Sequence, residues 1–259
     1  MLYDYNVVIM FLLVFARIAG MMFTAPLYSS GVVSSKVKLF FTFMVTMVIY
    51  ASIPKPAVSG VDFFKLTALV IQESMIGIFI GFMMSVIFSA VQVASEIYST
   101  SLGFNMVSVL DPLSESQTAI IGQFNYLYFS GVLIISGVHR EVIKILVATF
   151  YKYPIGELVF RGNFIVKQFI EAFNYMFVSA IQMAIPIMGV LLMIDIVLGI
   201  MARIAPQMNV YFIGMPLKIM VGLYLMMMLV PYLYTFFKIL IDGSYQKIAF
   251  LIAGGFVAR

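Results

Sequence analysis

Cysteine and tryptophan are absent from this 259-residue chain, and histidine occurs once, at His139. Without thiols, disulfides and thiolate chemistry are excluded, and a single histidine makes no histidine-based metal site. Charge is also scarce. Asp, Glu, Lys and Arg together make up 10% of the residues, where a soluble surface needs roughly a quarter. No formal charge occurs from Ser116 to Val138, from Ala172 to Ile194 or from Ile18 to Ser35, and Lys218 and Lys238 bracket another uncharged run. Each gap approaches the roughly 20 residues that cross about 30 Å of hydrocarbon as a helix. A water-filled β-barrel needs polar residues at every second position, and these runs lack them. The expected fold class is an all-α membrane protein.

What fills the chain is apolar: 63% hydrophobic residues, with 21 Met and 25 Phe supplying soft, adaptable surface. Asp4 stands where a signal peptide would carry its basic region, and the apolar stretch continues to Pro26 without a cleavage site. This is the pattern of a retained first span. Six apolar blocks follow from the hydropathy: 5–27, 37–54, 66–92, 118–138, 168–200 and 210–237. They form one membrane unit over 1–259, with short connections and no repeat at fixed period. Pro54 and Pro56 end the second block, Pro186 and Pro206 interrupt or end the fifth, and Pro206 with the Gly214/Pro216 pair suggests a sharp turn between the last two blocks. The segment 139–153 alternates charge with Val142, Ile143, Leu146, Val147 and Phe150 at helical spacing, as a short amphipathic helix does; the end of span four is the alternative. With the N-terminus in the cytoplasm, Lys55, Lys65, the basic stretch 140–167 and the tail fall inside, and Lys36, Lys38, Arg203 and Lys218 outside, which satisfies the positive-inside rule. The net charge of +4 fits orientation and lipid headgroups rather than nucleic acid, since no dense basic patch exists.

Charges inside the blocks are the exceptions: Arg17, Glu73, Asp195 and Lys218. An isolated charge in lipid costs several kcal/mol, so each must face protein or water, or snorkel to the interface, as Arg17 and Lys218 could. A polar contact that locks two helices is the plainer use, a proton or substrate path the sharper one. Glu73, Gly77, Gly81, Ser85 and Ser89 recur every four residues, placing small residues along one helical stripe, where backbones in a membrane approach closely. Asp195 and Arg203 lie about 12 Å apart along a helix axis, so neither can pair with the other. From Glu96 to Asp111 polar residues crowd an apolar chain; an external loop or a re-entrant element lining a pore would satisfy such backbone. No metalloprotease, nucleophile-elbow, P-loop or dinucleotide motif is present, and the chain is expected not to be an enzyme.

These residues resemble a known family along nearly the whole chain. Arg17-Ile18-Ala19-Gly20 with Thr24-Ala25-Pro26-Leu27, the basic pair around Lys36-Val37-Lys38, Glu73 with Ile76-Gly77-Ile78 and Gly81-Phe82, then Glu96, Gly103 to Met106 and Asp111-Pro112, and Pro154-Ile155-Gly156 follow in order. The most specific run is Leu198-Gly199, Arg203-Ile204-Ala205-Pro206-Gln207-Met208-Asn209-Val210, Gly214-Met215-Pro216 and Gly222. The pattern is similar to the FliR/SctT family of type III export-gate membrane components. The resemblance implies a non-enzymatic gate subunit without cofactors, in the bacterial inner membrane within the flagellar basal body, part of it raised to the periplasmic side. The implied partners are several copies of FliP- and FliQ-type subunits, an FlhB-type export switch and unfolded rod, hook and filament subunits as cargo. Phe104, Asn105, Met106, Val109, Leu110, Asp111 and Pro112 would plug the pore. Arg17, Glu73, Gly77, Gly81, Glu96, Asp195, Arg203, Pro206, Gln207 and Lys218 would hold the gate together. A virulence-secretion member of the same family is the alternative; a small-molecule secondary transporter is the competing class, though the halves lack the internal symmetry that would support it.

Overall fold

A computed structural model describes residues 2–26, 34–53, 62–103, 120–155, 158–160, 162–254 and 256–258. The described chain is almost wholly helical: α1 (Leu2–Thr24), α2 (Ser35–Ser52), α3 (Phe63–Leu102), α4 (Ile120–Ile135), α5 (Val138–Lys152), α6 (Gly162–Ile204) and α7 (Val210–Gly254). Two three-residue strands, β1 (Leu158–Phe160) and β2 (Phe256–Ala258), pair antiparallel. Five segments are long and apolar enough to cross a membrane: Asn6–Thr24, Ser35–Ser52, Phe63–Leu102, Val166–Ile204 and Phe212–Gly243; Ile121–Ile135 is a shorter apolar helix. This is an all-α integral membrane protein.

Length separates these helices into two kinds. α1 and α2, of 23 and 18 residues, match the hydrocarbon thickness. α3, α6 and α7 have 40, 43 and 45 residues, or about 60–68 Å at 1.5 Å per residue. Even a tilt of about 40° leaves each longer than about 30 Å of hydrocarbon. Part of each lies outside the lipid core although the apolar composition runs almost end to end.

Two local expectations change and two hold. The polar cluster after Glu96 does not begin a loop: α3 continues to Leu102, and Thr100 and Ser101 satisfy their hydroxyls on the carbonyls of Glu96 and Ile97, at 2.8 and 3.1 Å, within the helix. It ends at Gly103, whose φ of 86° suits glycine. Pro186 and Pro216 lie inside α6 and α7, as does Pro231; neighbouring groups in a membrane bundle tolerate such prolines. The sharp turn between the last two blocks falls at Pro206, over residues 205–209, closed by Ala205 N–H to Met201 O at 2.9 Å and Met208 N–H to Ala205 O at 3.0 Å. The charged segment after Gly137 is a separate helix, α5, and it buries Val142, Leu146 and Phe150 within its own chain.

The chain divides into two compact units, Met1–Phe88 with Gly137–Phe173 and Asp242–Arg259, and Ser89–Ser136 with Asn174–Ile241. In the first, α1 packs against α2, where Phe11 meets Phe43 and Tyr50 edge-on, at centroid distances of 5.5 and 5.7 Å. Leu13, Ile18, Met21, Ile76, Ile80 and Met84 fill its core. In the second, Phe237 of α7 meets Phe129 of α4 at 4.8 Å, and the hydroxyl of Tyr128 donates to the carbonyl of Val230 at 3.2 Å.

Candidate functional site

In the first unit the small-residue stripe of α3 faces α1. A Cβ on Gly77 would stand 2.0 Å from the Arg17 carbonyl oxygen, one on Gly81 2.1 Å from Thr24 Oγ1, and one on Gly20 2.4 Å from the Ser74 carbonyl. Glycine on both helices therefore brings the two backbones into contact. Ser85, two stripe positions beyond Gly77, donates its hydroxyl to the Thr24 carbonyl at 2.5 Å. Close approach at Gly77 puts Arg17 beside Glu73, one turn earlier on α3.

Arg17 Nε donates to Glu73 Oε2 at 2.5 Å, both side chains being fully enclosed. The remaining guanidinium nitrogens turn to α5. Nη1 donates to Thr149 Oγ1 at 3.3 Å, and Nη1 and Nη2 donate to the Tyr153 carbonyl at 3.4 and 3.3 Å. The Phe150 ring covers the charge, its centroid 4.2 Å from Cζ. The cation thus meets the C-terminal end of α5, where the helix dipole favours positive charge. Arg17 does not snorkel; it is the common tie of three helices. Glu73 Oε1 is buried without a hydrogen-bond partner.

The second unit brings together a different pair. Lys218 Nζ contacts Asp195 Oδ1, so the lysine crosses to the α6 carboxylate rather than to an interface. Two glycines of α7 seat leucines: a Cβ on Gly214 would meet Leu198 Cδ1 at 2.7 Å, and one on Gly222 would meet Leu102 Cδ2 at 1.8 Å. Arg203 is exposed in the last turn of α6, with Pro206 and Gln207 exposed in the turn that follows. Glu96 is half-buried on α3. Phe104, Asn105, Met106, Val109, Leu110, Asp111 and Pro112 fall outside the described residues.

Sequence reasoning missed how these groups join. Thr149, Phe150 and the Tyr153 carbonyl were no part of the expected contact set, and their only signal was the apolar spacing of α5. It also passed over a buried polar contact in the second unit, where Asn125 Nδ2 donates to Ser95 Oγ at 3.0 Å. An asparagine inside an uncharged apolar run was the available sign. No cluster of three or more His, Cys, Asp or Glu placed to hold a metal occurs among the described residues.

Similarity to known proteins agrees with a chain whose distinguishing residues are helix-packing groups. Residues 8–244 match the family described as Bacterial export proteins, family 1. The flagellar biosynthetic protein FliR of Escherichia coli K12 is 30% identical over 237 residues, covering 92% of this chain and 90% of the relative. FliR of Bacillus subtilis 168 is 31% identical over 216 residues, 82% of each chain. The surface presentation of antigens protein SpaR of Shigella sonnei is 25% identical over 212 residues, 82% of this chain and 81% of the relative. The chain belongs to family 1 of the bacterial export proteins.

Proposed function

We propose that this protein is a core structural and gating component of the flagellar type III export channel, through which unfolded rod, hook and filament subunits pass. The observation that carries the reading is its likeness to flagellar FliR proteins along nearly the whole chain. The helices add physical support. Much of α6 and α7 exposes apolar side chains, among them Leu192, Met193, Ile196, Phe212, Met220 and Met227, on helices about twice as long as hydrocarbon requires. Outside the lipid such faces need protein cover. Copies of FliP- and FliQ-type subunits and an FlhB-type switch protein are the proposed partners, in the bacterial inner membrane within the flagellar basal body, with part of the assembly raised to the periplasmic side.

The proposed role is non-enzymatic. Arg17, Glu73, Gly77 and Gly81 hold one unit together; Asp195 and Lys218 lock α6 to α7. Glu96, Arg203, Pro206 and Gln207 are proposed as contacts to neighbouring subunits, the last three supported by their exposure at the α6–α7 turn. Phe104 to Pro112 are proposed as the pore plug, because Phe104, Met106, Val109 and Leu110 are the apolar groups that a constriction excluding ions requires.

Mass spectrometry of the intact complex, extracted in mild detergent from native membranes, tests this. One copy of the chain with several copies of two small membrane proteins is the expected result; a stable monomer or homodimer would overturn it. The likeness to SpaR supports a second reading, a virulence export gate of the same construction. Deleting the gene separates the two: loss of flagella with other secretion intact fits the first, the reverse the second.

A further inference from the structure

A second polar cluster, built of uncharged side chains, lies in the Ser89–Ser136/Asn174–Ile241 unit. Ser95, Tyr98 and Ser99 of α3 and Asn125 of α4 are all fully buried. Ser95 Oγ donates its one proton to the Val91 carbonyl at 2.7 Å. It lies 3.0 Å from Tyr98 Oη and accepts from Asn125 Nδ2 at 3.0 Å. With the serine proton already given away, the phenol must be the donor to Ser95. The serine is then saturated, with one bond donated and two accepted. Tyr98 Oη is left with acceptor capacity.

Two further atoms are unpaired. Asn125 Oδ1 and Ser99 Oγ are buried without a hydrogen-bond partner. Ser99 follows Ser95 by one helical turn, which puts the two side chains on the same face about 5–6 Å apart, and Asn125 is held against that face by its bond to Ser95. An acceptor and a hydroxyl left unsatisfied in an apolar interior each lose more than an ordinary hydrogen bond gains. A buried water takes two to four polar partners, and this cluster supplies that number in complementary kinds.

We propose that the α3–α4 contact encloses an internal water that donates to Asn125 Oδ1 and bonds to Ser99 Oγ, its second proton directed to the open side of Tyr98 Oη. A carbonyl-type oxygen and two hydroxyls, with no carboxylate among them, suit a neutral donor rather than a cation. The bound water makes the contact a polar clasp across two helices that flank residues 103–119 in the sequence.

X-ray radiolytic footprinting of the purified complex, read by mass spectrometry, tests this, because radiolysis of a trapped water oxidises the side chain beside it. Oxidation of Tyr98 despite its burial is the expected result. Asn125→Leu, which fills the site with apolar volume, abolishes that oxidation and leaves unchanged the rate at Tyr151, an exposed tyrosine of α5 that serves as the control. Should Asn125→Leu fail to assemble, Ser99→Ala removes one partner without adding volume and lowers Tyr98 oxidation. An unmodified Tyr98 in the unaltered protein overturns the proposal, as does a Tyr98 rate that neither substitution changes. Dry density beside Asn125 in a high-resolution map, with the Ser99 hydroxyl turned to its own helix, overturns it as well.

Discussion

The enclosed Arg17–Glu73 pair sets the largest single-residue effects. Both ions are stripped of water, so each depends on the other, and Arg17 depends also on the Thr149 and Tyr153 acceptors. Removing one partner of such a pair strands the other and costs about 3–5 kcal/mol. Arg17→Leu and Glu73→Leu singly are expected to lower the yield and thermal midpoint of the purified protein sharply. Arg17→Met combined with Glu73→Leu is expected to recover much of the loss, since no unpaired charge remains; the comparison needs only thermal melts. Arg17→Lys recovers little, because an ammonium does not present the planar fork that reaches Glu73, Thr149 and Tyr153 together. Composition identified both charges as exceptions, but not their union. They lie 56 residues apart, and no local periodicity carries a pairing across that distance.

At the scale of the helix, two glycine contacts that look alike from spacing differ in what they press against. At Gly77 an added methyl meets the backbone of α1; at Gly222 it meets the end of the Leu102 side chain. Overpacking costs about 1–3 kcal/mol where neighbours can yield, and a backbone yields least. Gly77→Ala is therefore expected to disrupt the α1–α3 contact, with no side-chain substitution able to restore it. Gly222→Ala is expected to be mild and to be rescued by Leu102→Ala, as a double-mutant cycle of thermal midpoints will show. The stripe of Glu73, Gly77, Gly81 and Ser85 was legible in the sequence because its period is helical. The end of α3 was not, because Ser, Thr and Gly together resemble a loop, whereas here the hydroxyls bond within the helix, which runs to Leu102. The prolines misled for a related reason: rules for breaking helices are drawn from water, and α6 and α7 are not built for water.

On the scale of the whole molecule, the proposed function has neighbouring subunits cover the apolar faces of α6 and α7. The absence of native cysteine allows single cysteines to be placed without background. Substituted at Phe212, Met220 or Met227, all strongly exposed here, cysteine is expected to react with a maleimide in the separated subunit and to be protected in the assembled gate. Equal reactivity in both would remove the case for subunit contacts on that face. The three-helix tie at Arg17 also has a consequence in time. Tyr153 follows Arg17 by 136 residues and Glu73 follows it by 56. Ribosomes add about 5–20 residues per second, so the guanidinium waits about 3–11 seconds for its carboxylate and longer still for α5. During that interval its long stem can keep the charge at the headgroups. The pair that fixes the first helix against α3 therefore closes only after α3 has been made, and the tie to α5 closes last of all.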